Sequence, residues 1–311
     1  MESSGIRVTE LVQSALGEAV ALLLQDRLIS ELRLNSDGIL WVNKLGCGKF
    51  ATEHRVSPEN AKRAIEAVAY SVGQCCNGDN PTIAAELPGT GERFQGILPP
   101  LSKGPVIIIR KKAVRIFTLE DLVAQGVLSQ RQKMGLQEAI INKKNVLIVG
   151  GTDTGKTTFA NALLDVVSKT KDRVLIIEDT QELQCMAEDV EYLRTKDRIA
   201  TLRDMVRVSM RLSPDRIVIG EVRGAEALDL IKAWNTGHGG GVSTVHASSA
   251  RQGLSRIEQL VQEAGVTPSK AMIADAINMI VYLEKRGPKR VVQQVMYVGG
   301  ITESNYDLRE I

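Results

Sequence analysis

The sequence predicts a two-domain α/β protein: a parallel-sheet domain over residues 116–311, preceded by a smaller α+β domain over residues 1–115. Three observations carry this. Residues 146–149, 174–177 and 217–219 are short, β-branched, nearly continuous apolar runs separated by helical patterns. Such runs suit strands buried on both faces of a parallel sheet. A glycine-rich loop directly follows the first run and precedes a helix, and the segment before residue 111 mixes hairpin and helix signals instead.

With 311 residues the chain is long enough to bury a core in each domain. Its 43% hydrophobic and 24% charged residues are ordinary for a globular protein. A formal charge of +2 and 4% aromatics give no sign of a nucleic-acid partner or an anionic membrane surface, so any polyanion site must be local. Cys47, Cys75, Cys76 and Cys185 form no CxxC pair and no zinc-ligand spacing, so reduced thiols in a cytosolic protein are expected. Residues 1–9 lack a basic start followed by an apolar core, so no secretory leader is expected. The early apolar run 19–24 is far short of the ~20 residues that cross a bilayer. The protein is expected not to be integral to a membrane, although it can dock on one through partners.

In chain order, Leu11, Ala15, Ala19 and Leu23 recur at four-residue spacing beside Val12, Leu16 and Val20, an amphipathic helix packed on its own domain. Ser36-Asp37-Gly38 is turn chemistry between extended segments 31–34 and 39–43, which predicts a β-hairpin. Ser57-Pro58 opens a helix running to about Gly73. Strand-like segments follow at 82–87 and 106–110, and the basic stretch 111–118 is the candidate linker. Thr118, with an acid in the next turn, fits a helix start.

Gly150-Gly151-Thr152-Asp153-Thr154-Gly155-Lys156-Thr157 fits the phosphate-loop pattern GxxxxGK[ST], lies between a strand and a helix, and is followed by Thr158. Glycines let the backbone curl so that its N–H groups point at phosphate oxygens, and the helix over 156–167 adds its positive N-terminal end. Lys156 is placed for the β- and γ-phosphates, and the Thr157 hydroxyl for Mg²⁺. ATP with Mg²⁺ is the expected ligand, since no NKxD-type guanine reader is present.

Two further strands end in acid. Arg216–Ile219 leads to Gly220-Glu221, with glycine where an aspartate often stands, and residues 174–177 lead to Glu178-Asp179. Glu221 can orient the attacking water, accept its proton, or hold Mg²⁺ through water. Glu178 beside it implies a shared Mg²⁺–water site.

The segments LRLNSDGILWVNKLG, ELPGTGERFQGILPP, GGTDTGKTTFANALL, RVLIIEDTQEL, RLSPDRIVIGEVRGAEALDLIKAWNTGHGGGVSTVHASSA and INMIVYLEK together resemble the type II/type IV secretion traffic ATPases over nearly the whole chain. The resemblance implies a RecA-like P-loop domain after an α+β N-terminal domain. It implies that Glu178 lies near Mg²⁺, that Glu221 is catalytic, and that His246 senses the γ-phosphate. It departs from the family at Asp153-Thr154 in the loop, at Ser213 in the RxRPDR element, and at Gly239, where the family has proline. His54 is expected on the surface, and His238, between glycines, as a loop-shaping residue.

Arg203, Arg207 and Arg211 recur at i, i+4 and i+8 on a helix expected over 201–212, a basic stripe. The resemblance places Arg207 and Arg211 at phosphate or subunit contacts, and Arg93 and Arg110 as arginines that close over the phosphates from the N-terminal domain. The expected function is therefore ATP hydrolysis by a homo-hexameric motor on the cytoplasmic face of the inner membrane. It would power pilus assembly or substrate transport with the membrane components of a type IV secretion or conjugation channel. A type IV pilus or type II secretion motor is the alternative, although the four-cysteine zinc element of many of those motors is absent. A nucleic-acid motor is disfavoured by charge and aromatic content.

Overall fold

Asp37 and Gly38 make the first turn. The Asp37 carboxylate accepts the Ile39 N–H at 2.9 Å, and Gly38 adopts φ 79°, where an added Cβ would lie 2.7 Å from the Val56 carbonyl. The turn joins β1 (Ile29–Leu34) to β2 (Ile39–Lys44), the expected antiparallel hairpin. The computed structural model describes residues 12, 14–26, 28–44, 47–87, 90–111, 116–196, 199–287 and 289–311. It divides into two units, Met1–Val114 and Arg115–Ile311.

In the first unit, α1 (Glu18–Gln25) precedes the hairpin, and β3 (Gly48–Arg55), α2 (Pro58–Ser71), β4 (Thr82–Glu86), β5 (Arg93–Ile97) and β6 (Val106–Arg110) follow. The six strands pair antiparallel in the order β3-β2-β1-β6-β5-β4. Ser57 caps α2 by accepting the Asn60 N–H, and Ala61, Ala64, Ile65 and Val68 bury one face of that helix. Gly96 on β5 makes room for this packing: a Cβ there would meet Ile83 at 2.9 Å and Ile65 at 3.0 Å. The expected helix through Leu11 and Leu23 is interrupted by Gly17 at φ 92°, while Leu11 itself lies outside the described residues. His54 is exposed on β3, a strand with no buried residue.

The second unit starts with α3 (Leu119–Ala124), where Thr118 and Asp121 form a reciprocal capping box. Then come α4 (Gln130–Ile141), β7 (Val146–Gly150), α5 (Lys156–Val167), β8 (Val174–Glu178), β9 (Val190–Arg194), α6 (Leu202–Ser209), β10 (Arg216–Ile219), α7 (Glu226–Asn235) and β11 (Val242–Val245). The remainder is α8 (Ala250–Gln262), α9 (Lys270–Ala276), β12 (Met279–Arg286), β13 (Lys289–Thr302) and β14 (Asn305–Glu310).

The sheet order is β14-β13-β12-β7-β11-β10-β8-β9. Its strands β12 to β9 are all parallel, in the RecA-like order, and β13 and β14 extend it by antiparallel pairing. Strands β7, β8, β10 and β11 are buried at every position, as their continuous apolar runs require, with helices covering both faces. At the start of β10, the fully buried Arg216 donates to Asp172 at 2.7 Å and to the Gly240 carbonyl at 3.1 Å, and Lys143 also pairs with Asp172 at 2.9 Å. A side chain at Gly240 would strike the Arg216 guanidinium, which explains a glycine in the loop that carries the half-buried His238.

Candidate active site

β7 ends between β11 and β12, and the chain leaves it as a tight loop before α5. Gly150 is required there, because a Cβ would lie 2.5 Å from the Thr154 hydroxyl and 2.7 Å from the Leu283 carbonyl. Thr154 is buried and donates its hydroxyl to the Gly151 carbonyl at 2.9 Å, closing the loop from inside, while Gly151 and Thr152 are exposed. Asp153 has φ 60° and Gly155 φ 92°, so both occupy the left-handed region, which aspartate tolerates better than most residues with a Cβ. Arg290, at the start of β13, donates to the Asp153 carbonyl at 3.1 Å, pinning that strained residue from a distant part of the chain. Thr158 is half-buried in the first turn of α5.

The Lys156 ammonium donates to the carbonyls of Gly150 at 3.0 Å and Gly151 at 2.9 Å, and lies 3.3 Å from Nδ1 and 3.4 Å from Nε2 of His246. Burial pushes Lys156 below the usual lysine range. His246 follows β11, and its Nε2 stands 3.0 Å from Glu221 Oε1. Burial, with the nearby Lys156 charge second, pushes the imidazole below its ordinary pKa and favours the neutral ring. In that ring Nε2–H donates to Glu221, leaving Nδ1 with the lone pair. Lys156, His246 and Glu221 thus meet at the ends of three neighbouring strands, β7, β11 and β10.

Glu178, which the sequence resemblance puts near Mg²⁺, is accompanied at this end of the sheet by a second carboxylate, that of Glu182. Glu178 is buried at the end of β8, and its carboxylate accepts the backbone N–H groups of Glu182 and Leu183 at 3.1 Å. Burial raises it to about 7, against the pull of those two N–H groups. Gly220 lies against it: a Cβ at that position would meet Glu178 Oε1 at 2.9 Å, so glycine replaces the frequent strand-end aspartate for lack of space. The carboxylate that faces the Thr157 hydroxyl is that of Glu182, at 3.3 Å. Buried Asn161 on α5 fixes this approach by donating to the Glu182 carbonyl at 3.3 Å and accepting the Gln184 N–H at 2.8 Å. Sequence reasoning missed Glu182, whose only local signal is a second acid four residues after the strand end.

The basic stripe separates as well. Arg203 and Arg207 each donate Nε to one oxygen of Asp229 on α7, at 2.6 and 2.9 Å, and Asp229 is buried. The helix ends at Ser209, short of the expected 212, and Arg211 is exposed in the turn beyond it. In the first unit, Arg93 and Arg110 face each other across the β5–β6 ladder, and Arg110 pairs with Glu31 at 3.1 Å. No cluster of three or more His, Cys, Asp or Glu that could hold a metal by themselves occurs among the described residues; the Thr157 hydroxyl and Glu182 carboxylate, 3.3 Å apart, are oxygen groups of the kind a hard cation takes. No described helix is long and apolar enough to cross a membrane.

Comparison with known proteins agrees with this geometry. The family model described as type II/IV secretion system protein matches residues 79–290. The conjugal transfer protein TrbB of Rhizobium radiobacter is 39% identical over 302 residues, covering 96% of this chain and 93% of the relative. The type IV secretion system protein PtlH of Bordetella pertussis is 30% identical over 321 residues, covering 88% and 91% respectively. Among solved structures, the pilus retraction motor PilT with bound ADP shares the fold at TM-score 0.64 and 19% identity, covering 92% of this chain and 81% of that one. A match across two thirds of the chain, with a relative this similar along nearly all of it, places the chain in the type II/IV secretion system protein family.

Proposed function

We propose that this protein is a Mg²⁺-dependent ATPase that works as a homo-hexameric motor of a type IV secretion or conjugal transfer system. It would act at the cytoplasmic face of the inner membrane and power pilus assembly or substrate transport. The observation that carries the enzymatic reading is the convergence of Lys156, His246 and Glu221 at the mouth of the phosphate loop, with Lys156 partly desolvated. The conjugal and secretion reading is supported by the names and coverage of TrbB and PtlH.

The loop N–H groups and the α5 N-terminus bind the phosphates, and Lys156 exchanges its carbonyl contacts for β- and γ-phosphate oxygens. Thr157 and Glu182 would hold Mg²⁺, which when bound would supply positive charge against the phosphates. Glu221 orients the attacking water and accepts its proton, and the water oxygen displaces ADP from the γ-phosphorus. His246 tethers Glu221 to the γ-phosphate side of the site. Glu178 braces the loop that carries Glu182. Arg211 is proposed as the exposed arginine that acts at a subunit boundary, and Arg93 and Arg110 as phosphate ligands on the sequence resemblance alone.

Phosphate release from ATP, with and without Mg²⁺, tests the reading. Turnover should require the metal and vanish in Lys156→Ala, because Lys156 is the side chain placed for the β- and γ-phosphates. Wild-type turnover by pure Lys156→Ala would overturn the assignment.

A further inference from the structure

Glu221 is gripped at both oxygens. His246 takes Oε1 at 3.0 Å, and the guanidinium of Arg223, two residues further along the same strand end, donates Nη2–H to Oε2 at 2.6 Å. The Arg223 backbone is itself fixed, since its N–H donates to Glu226 Oε1 at 2.7 Å and the Gly224 N–H donates to the same oxygen at 2.8 Å. The second arm of the guanidinium, Nη1, lies 3.7 Å from Asp179 Oδ2, and Asp179 Oδ1 accepts the Thr195 hydroxyl at 2.9 Å. A chain of contacts therefore runs from Thr195 through Asp179, Arg223, Glu221 and His246 to Lys156. It spans the ends of β9, β8, β10 and β11 and the start of α5.

We propose that Arg223 is the positioning residue for hydrolysis: it fixes the rotamer of Glu221 and ties it to the acidic loop after β8 through Asp179. A carboxylate on two rotatable carbons, held at one oxygen only, swings about that contact. Held at both, it keeps one orientation toward the phosphate loop, and misplacing a proton acceptor by about 1 Å costs on the order of 100-fold in rate. The fork of arginine suits this role, because one guanidinium can reach two carboxylates in fixed geometry, which a lysine ammonium on a flexible stem does not reproduce. A purely structural role is a poor account of the same contacts. The Arg223 side chain is 55% exposed, and ion pairs that open to water contribute little to stability.

The inference rests on Glu221 being the group that handles the attacking water, and the test separates the two. Measure kcat and KM for ATP, with a thermal melt on each preparation, in the full-length protein and in Arg223→Ala, Arg223→Lys, Asp179→Asn, the Arg223→Ala/Asp179→Asn double variant and Glu221→Gln. Arg223→Ala should lose about 10- to 100-fold in kcat with KM for ATP unchanged. Arg223→Lys should recover part of that loss, and Asp179→Asn should show a smaller one. The double variant should be no slower than Arg223→Ala, because Asp179 acts only through the arginine. Should the alanine variant not fold, Arg223→Gln carries the same comparison. An unchanged kcat, a raised KM at constant kcat, or additive losses in the double variant would each overturn the proposal. Full turnover by Glu221→Gln would instead overturn the reading of Glu221 on which it stands.

Discussion

Glu178 and Glu182 are four residues apart, and burial gives them different work. Glu178 is enclosed under the loop it braces and lifted to about 7, whereas Glu182 reaches the Thr157 hydroxyl. A carboxyl whose pKa is raised in the fold binds its proton more tightly folded than unfolded. Its stabilising contribution is therefore complete below the ordinary carboxylate pKa and is lost as pH rises through about 7. Glu178→Gln keeps an acceptor for the two N–H groups and cannot ionise. It should equal wild type in thermal or denaturant melts near pH ~4 and exceed it by on the order of 3 kcal/mol near pH ~8. Equal stability at the higher pH would mean that Glu178 is ionised at no cost. At this scale the sequence was partly readable. Lys156, Thr157, Glu221 and His246 sit at loop or strand-end positions that motif spacing marks. Glu182 and Arg290 reach the phosphate loop only because a distant segment folds back over it, a long-range effect that no local pattern encodes.

Among the elements, α6 and α7 are joined by one buried carboxylate shared by two arginines. Asp229→Ala would leave Arg203 and Arg207 without their common partner, and both are exposed enough to regain water. The loss should be about 1–3 kcal/mol, read as a lowered denaturation midpoint. No change would reduce the arrangement to a surface contact. The arginine spacing announced a basic stripe in advance, but its partner Asp229 lies on the next helix, beyond β10, so it stayed hidden until the fold was known. The elements read most directly were those with continuous apolar runs or capping chemistry: β7, β8, β10, α2 and α3. β3 escaped because none of its residues is buried, so it carries no alternation and is held by its ladder to β2. β13 mixes polar and apolar positions over 14 residues with a register shift against each neighbouring strand, which blurs the two-residue period. Gly17 broke a helix whose apolar spacing continues across it.

For the whole molecule, the proposed ring gives Arg211 a role that one chain cannot test alone. It is exposed just beyond α6, whereas Arg207 is tied to Asp229. An arginine at the transition-state charge contributes on the order of 10³–10⁵ in rate. Head-to-tail closure of a symmetric ring would place every site at a boundary. Lys156→Ala and Arg211→Ala should each be inactive, and verified mixed assemblies should recover part of the ATPase activity, since some boundaries then pair an intact loop with an intact arginine. No recovery would put Arg211 in cis. The central claim, that the phosphate-loop unit binds ATP and hydrolyses it through Glu221, has a more direct test. Equilibrium ATP binding and phosphate release should be measured on one preparation of Glu221→Gln, which keeps the side chain's shape and removes the base. The account predicts wild-type binding with turnover lost. Binding and turnover falling together, or turnover persisting, would contradict it.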